Sequence, residues 1–197
     1  MILDSEEQLK GLPESIIEAA AHTAKEKGKN GWIITLQAPS YVPFMKYSEN
    51  RELRRKLYMA YNTQCIHDNE QNNEDVVKQL VNLRMQLAQL LGFKNYADYA
   101  LRKRMAENSE RVYQLLDQLL EAYTPTAREE VKEIEALAQR TEGKDFQLMP
   151  WDFSYYAEKL KNEKFNLDEE ALRPYFELSR VKEGWATDEE LTDTKHR

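Results

Sequence analysis

The sequence predicts an all-α protein: an irregular multi-helix bundle with at most a short extended segment near residues 31–37. Three observations carry this expectation. Glycine and proline number only six each in 197 residues, so turns are few and elements are long. Leu, Ala, Glu, Lys, Arg and Gln dominate the chain, and all of them favour helix. Apolar residues recur at three- and four-residue intervals through most of the sequence, which is the period of a one-sided helix.

The elements follow in order. In "LPESIIEAAAHTAKEKG", Pro13 suits a first helical turn, Ile16, Ile17, Ala20 and Ala24 form one stripe, and Gly28 is a natural stop. "GWIITLQAPSYVPF" holds Trp32, Ile33, Ile34 and Thr35, which favour extended backbone. Pro39 and Pro43 then argue against helix, so an extended connector is expected, with a hinge around residues 31–49. Asn50 caps "RELRRKLYMAY", whose Leu53, Leu57 and Tyr61 share a face. After the polar loop "NTQCIHDNEQNN", Asn73 caps the most regular helix, with Val76, Leu80, Leu83, Leu87 and Leu90 on one stripe and Gly92 as its end. The stripe covers fewer repeats than a coiled coil sustains, so it is expected to be buried inside the bundle. Asn95 caps "YADYALRKRM". Ser109 opens a long helix that Pro125 should kink or split and Gly143 should end. Asp152 reads as the cap of "FSYYAEKLKNEKF", and Asp168 as the cap of "EEALRPYFEL". No repeat, low-complexity tract or glycine-rich linker divides the chain. Residues 1–197 therefore read as a single helical region with a polar tail over 185–197.

Charge and motifs narrow the function. A net charge of −7 argues against nucleic acid, which needs a basic footprint. No apolar run approaches the length of a membrane span. The acidic start "MILDSEEQLK" is unlike a signal peptide, and one cysteine, Cys65, allows no internal disulfide. These features fit a reducing, cytoplasmic location. The three histidines, His22, His67 and His196, are scattered. None belongs to a Glu-x-x-His pair, and His-Glu-x-x-His is absent, although a helical metal site needs such spacing to aim its ligands from one face. Glu18 and His22 read as a surface pair one turn apart. Cys65, His67 and Asp68 lie in a loop that supplies too few ligands. There is no Gly-x-Ser-x-Gly elbow and no phosphate-cradling glycine loop. No catalytic and no metal-ligating residue is expected in this chain.

The stretch "PWDFSYYAEKL" concentrates Trp151, Phe153, Tyr155 and Tyr156 in a polar sequence. Phe153, Tyr156 and Leu160 fall on one helical face, which predicts a plug in the core, with Tyr155 at its boundary. The competing reading is a surface for peptides or a partner, made from Trp151, Tyr155, Tyr156 and, further along, Tyr175.

Several blocks of text go further. "SYVPFMKYSENRELRRKLYMAY", "LVNLRMQLAQLLGFKNYADYAL", "RMAENSERV" and "PWDFSYYAEKLKNEKFNLDEEALRPYFEL" closely resemble the thimet-oligopeptidase-like zinc metallopeptidases, the family of oligopeptidase A and the peptidyl-dipeptidases (dipeptidyl carboxypeptidases). The resemblance runs from about Leu12 to Val181. It implies a mostly helical fold with a substrate channel, acting on short peptides. It also implies zinc in the full-length family member, held by a later His-Glu-x-x-His helix and a downstream Glu. Those ligands match no position of this chain. After "LSRVKEG" the text departs from the family pattern. The expectation is therefore a partial, internal piece of such a peptidase, non-catalytic and without zinc when alone. Its partners would be short peptides or the missing remainder of the peptidase, with self-association a further possibility. The alternative is a non-catalytic helical module that binds peptides or a protein.

Overall fold

The structure, a computed structural model, describes residues 1–166, 172 and 175–184. They include seven α-helices, one short 3-10 turn at Glu6–Leu9 and a two-stranded sheet, with further helical residues at 178–184. The helices are α1 (Glu14–Glu26), α2 (Ala38–Tyr47), α3 (Arg51–Asn62), α4 (Glu74–Leu90), α5 (Tyr96–Leu101), α6 (Ser109–Glu142) and α7 (Pro150–Phe165). The expected all-α class is what the chain adopts. The Asp168 cap and the tail 185–197 lie outside the described residues.

The extended segment near residues 31–37 is strand β2 (Trp32–Ile33). Its partner is β1 (Ile2–Leu3), which no alternation in the sequence announces. The strands are antiparallel, with Ile2 opposite Ile33 and Leu3 opposite Trp32. The chain's first ammonium group extends the pairing by donating to the Ile34 carbonyl at 2.7 Å. Gly31 makes the close approach possible. Its φ is +83°, and a Cβ there would stand 2.2 Å from the Leu3 carbonyl oxygen.

The prolines behave differently from their sequence reading. Pro39 and Pro43 both lie inside α2. Pro39 sits in the first turn, where no intrahelical N–H is needed. Pro43 forfeits one helical hydrogen bond, a cost of about 3 kcal/mol. Its neighbours Phe44 and Met45 are fully buried, and each contributes about 1.5–3 kcal/mol of apolar burial. Packing therefore overrides local propensity. Likewise α6 runs unbroken through Pro125.

Capping follows the sequence at Asn50 and Asn95, whose side chains accept from the Leu53 and Asp98 backbone N–H groups. At α6 the cap is Asn108, which accepts from the Arg111 N–H and which the sequence reading did not name, and Ser109 is the first helical residue. At α4, Asn73 holds the cap position, but Asn72 supplies the side-chain acceptor, to the Glu74 N–H.

Two clusters of buried side chains form. The first gathers Leu3, Leu9, Leu12, Ala20, Ile34, Phe44, Met45, Leu53 and Leu57 from the small sheet, α1, α2 and α3. The second gathers Ile134, Leu137 and Ala138 of α6 with Tyr155 and Tyr156 of α7. Helix α7 packs against α2, α3 and α6, so it joins the two. The α4 stripe departs from expectation. Val76, Leu80, Leu83, Leu87 and Leu90 are all exposed, and Ala88 is the one buried residue of that helix. Its main neighbour is the six-residue α5, which is too short to cover it.

Substituting Gly31→Ala should destabilise the chain well beyond Gly28→Ala. Both glycines have positive φ, which alone costs an alanine about 1 kcal/mol. Gly28 has open space around it, whereas Gly31 meets backbone. Urea unfolding of the two variants checks this, and equal midpoints would contradict it.

Candidate functional site

Helix α7 begins at Pro150, with Met149 as its cap residue. Asp152 is therefore not the cap that its sequence context suggests. It sits one turn in, and its Oδ2 reaches back to accept from the Met149 N–H at 3.1 Å. The same carboxylate is fully buried and is gripped by two arginines of α3. Arg51 donates from Nε to both oxygens at 3.1 Å and from Nη2 to Oδ2 at 2.7 Å. Arg54 donates from Nη2 to Oδ1 at 2.9 Å. Residues three apart share a helix face, which is why both guanidinium groups reach one carboxylate.

Arg54 is 1% exposed, so its remaining donors must also be satisfied. Nη1 donates to the Ser48 carbonyl at 2.7 Å and to that of Glu49 at 3.3 Å. Nε donates to the Trp151 carbonyl at 3.3 Å. The guanidinium also lies over the Tyr155 ring, 4.1 Å from its centroid, while Arg51 lies over Phe146 at 4.4 Å. Hydrogen bonding to Asp152 raises the Arg51 pKa further above its ordinary value. A second buried carboxylate, Glu158, lies between Lys46 at 3.2 Å and Lys161 at 3.0 Å. Each buried acid is thus matched by two cations.

The aromatic candidates divide accordingly. Trp151 packs against the first cluster and meets Tyr58 edge-on, with centroids 6.2 Å apart. Tyr155 and Tyr156 are in T-shaped contact at 5.1 Å inside the second cluster. Tyr155 is 7% exposed, so it is core and not boundary, whereas Phe153, the expected core residue, is 41% exposed. The swap follows from the company α7 keeps. It is covered on the sides facing α2, α3 and α6, and Phe153 lines an open groove of about 340 Å³ between α6 and α7. That groove is lined by Ile134, Leu160 and Phe165 and by Glu130, Glu133, Lys161 and Lys164. Tyr175 is 79% exposed, and no ring contact among the described residues joins it to the other three. Sequence reasoning missed Arg51, Arg54 and Asp152. The readable signal was an Arg-x-x-Arg pair on one helix and an aspartate in the first turn of another.

The Tyr156 hydroxyl donates to Glu142 Oε1 at 2.9 Å. Burial, then this hydrogen bond to an anion, push its pKa well above the ordinary tyrosine value of 10.0.

Donors for a metal ion do not converge. His22 Nδ1 lies 3.7 Å from Glu26, its partner in place of the expected Glu18. His67 Nε2 lies 3.1 Å from the Thr63 hydroxyl, Cys65 is exposed, and His196 lies outside the described residues. Among the described residues no group of three or more His, Cys, Asp or Glu could hold a metal ion. The described residues therefore do not fit a zinc centre.

Fold and site together define a helical framework tied by buried ion pairs. A model of Peptidase family M3 matches residues 44–187, and the chain belongs to that metallopeptidase family. It is 38% identical over 187 residues to oligopeptidase A of Haemophilus influenzae, covering 93% of this chain and 27% of that protein. It is 37% identical over 187 residues to oligopeptidase A of Escherichia coli K12, with the same coverage. Against dipeptidyl carboxypeptidase of Escherichia coli K12 it is 34% identical over 182 residues, covering 92% of this chain and 27% of the relative. The chain thus spans about a quarter of the length of these relatives. No helix among the described residues is long and apolar enough to cross a membrane.

Two outcomes follow from the site. Asp152→Asn should destabilise the chain by about 3–5 kcal/mol, because it leaves Arg54 buried without its counter-charge. Arg51→Ala should cost less, about 1–3 kcal/mol, because Arg51 is nearly half exposed and Arg54 still serves the carboxylate. Equilibrium urea unfolding ranks them, and the reverse order would contradict the geometry. Alkaline pH gives an independent check. A tyrosine whose pKa is raised by folding stabilises fully below about pH 10, and that stabilisation is lost as pH climbs through the folded value. Between pH 9 and pH 11 (roughly, spanning the free tyrosine pKa), Tyr156→Phe should therefore lose less stability than the parent chain.

Proposed function

We propose that this chain is a scaffold portion of an M3 oligopeptidase or peptidyl-dipeptidase and performs no hydrolysis alone. In the assembled enzyme, zinc bound by residues outside this chain would polarise the scissile carbonyl and activate water. This chain's own part is mechanical. The Arg51–Asp152–Arg54 network and the Glu158 pair lock α3, α2 and α7 together, giving a wall against which short peptides are held. The observation that supports this most directly is the state of the buried acids. Asp152 and Glu158 are each paired with two cations and buried, so their carboxylates tie helices together and do not face an open cleft. One relative bears the name probable cytosolic oligopeptidase A (Arabidopsis thaliana, 32% identical), and a cytoplasmic setting is proposed here too.

A second reading is a non-catalytic module that binds peptides. The α6–α7 groove favours it, since Phe153 offers an apolar face and the lining lysines and glutamates offer polar contacts.

The purified chain, supplied with zinc, should show no chelator-sensitive cleavage of fluorogenic short peptides and should retain less than one zinc per chain. Stoichiometric zinc with metal-dependent turnover would overturn the scaffold reading. Saturable peptide binding that is abolished by Phe153→Ala, without turnover, would transfer support to the second reading.

A further inference from the structure

We propose that the apolar stripe along the N-terminal half of α6, with the exposed stripe of α4, is a docking surface for the remainder of an M3 peptidase polypeptide, and not for a second copy of this chain. The proposal rests on the scaffold reading above and assigns that scaffold its contact face.

The first argument is continuity with an interface already formed. On α6, Ile134 and Ala138 are buried against α7. At about 100° per residue, Leu116 has the same azimuth as Ile134, and Leu120 the same azimuth as Ala138. Tyr123 lies within about 20° of Ile134 on the same helix. Yet Leu116 is 52% exposed, and Leu120 and Tyr123 are each 66% exposed. One uninterrupted helix therefore carries one apolar stripe, covered at its C-terminal end and bare over the preceding four turns or so. The α4 stripe, with Leu80, Leu83 and Leu87 exposed, adds a second bare face. Contiguous apolar surface on this scale marks an interaction site.

The second argument is area, and it selects the occupant. The chain exposes 15642 Å², whereas a compact monomer of its mass exposes about 9,700 Å². Granting every residue outside the described set the area of a fully extended chain removes about 3,000 Å² of this excess and leaves about 3,000 Å². A standard protein–protein interface buries about 800 Å² per partner, and a large obligate dimer interface about 1,000–2,500 Å² per partner. One pairing with a second copy is too small to account for the surplus. A polypeptide that wraps several faces accounts for it, and this chain spans 27% of the length of its oligopeptidase A relatives.

The test is accessibility in two settings, starting from Cys65→Ser to remove the native thiol. Leu120→Cys reports on the stripe. Gln118→Cys, about 200° round the helix from Leu116, reports on the far side. Each is made in the free chain and in a chimera in which this chain replaces the aligned segment of Escherichia coli oligopeptidase A. In the free chain, both thiols should react readily with a maleimide. In a chimera that cleaves peptides, the thiol at 120 should be protected by about tenfold or more, while that at 118 still reacts. Equal reactivity at 120 in the free chain and in the active chimera would overturn the docking face. A discrete dimer of the free chain by sedimentation, with 120 protected in it, would overturn the choice of occupant. A chimera that folds without peptidase activity but protects 120 would keep the face and sink the scaffold reading. A chimera that does not fold would sink both.

Discussion

A single carboxylate organises this molecule. Asp152 is removed from water entirely, and a bare charge in that position would be untenable. It is held because two arginines one helical turn apart on α3 converge on it, and because its own helix start donates a backbone N–H. Once that carboxylate is satisfied, much else is determined. Arg54 must also lose its water, so its other donors seek the carbonyls of Ser48, Glu49 and Trp151. These carbonyls belong to the α2–α3 turn and to α7, so one ion pair draws three helices to a common point.

That point is where two apolar clusters meet. Trp151 leans on the first and Tyr155 and Tyr156 fill the second, so the aromatic stretch is a bridge with one foot in each. Its aromatics also do electrostatic service. Tyr155 presents a ring face to Arg54, and Phe146 presents one to Arg51, which partly replaces the water these cations gave up. A stretch that resembles a binding patch in composition is thus largely spent on holding the framework. Phe153 alone turns outward, and it does so because α2, α3 and α6 already occupy the other sides of α7.

Buried charge pairs whose geometry admits few alternatives hold α2, α3 and α7 together. The apolar stripes of α4 and α6 carry the opposite message: they are surfaces whose burial is still outstanding. Both halves of α6 have the same amphipathic pattern, and only the half beside α7 has found its cover.

The sequence by itself determined the helical class, the cap positions at Asn50 and Asn95, the glycine stop after α6 and the family, because each depends on local backbone chemistry or on text compared directly. Leu53, Leu57, Ala20 and Ala24 were legible as core for the same reason, since a helical stripe shows where apolar side chains point. Only tertiary structure decided which stripes are covered. Val76 to Leu90 and Ile134 to Ala138 look alike in sequence, and a periodic pattern says which way a face points but not what stands opposite. The β1–β2 pairing, the helix through Pro39 and Pro43, and the exchange of Phe153 for Tyr155 belong to the same class. So does the Asp152 network, whose partners lie about a hundred positions apart in the chain. Burial and charge pairing are properties of neighbours in space, and a linear order of residues does not contain them.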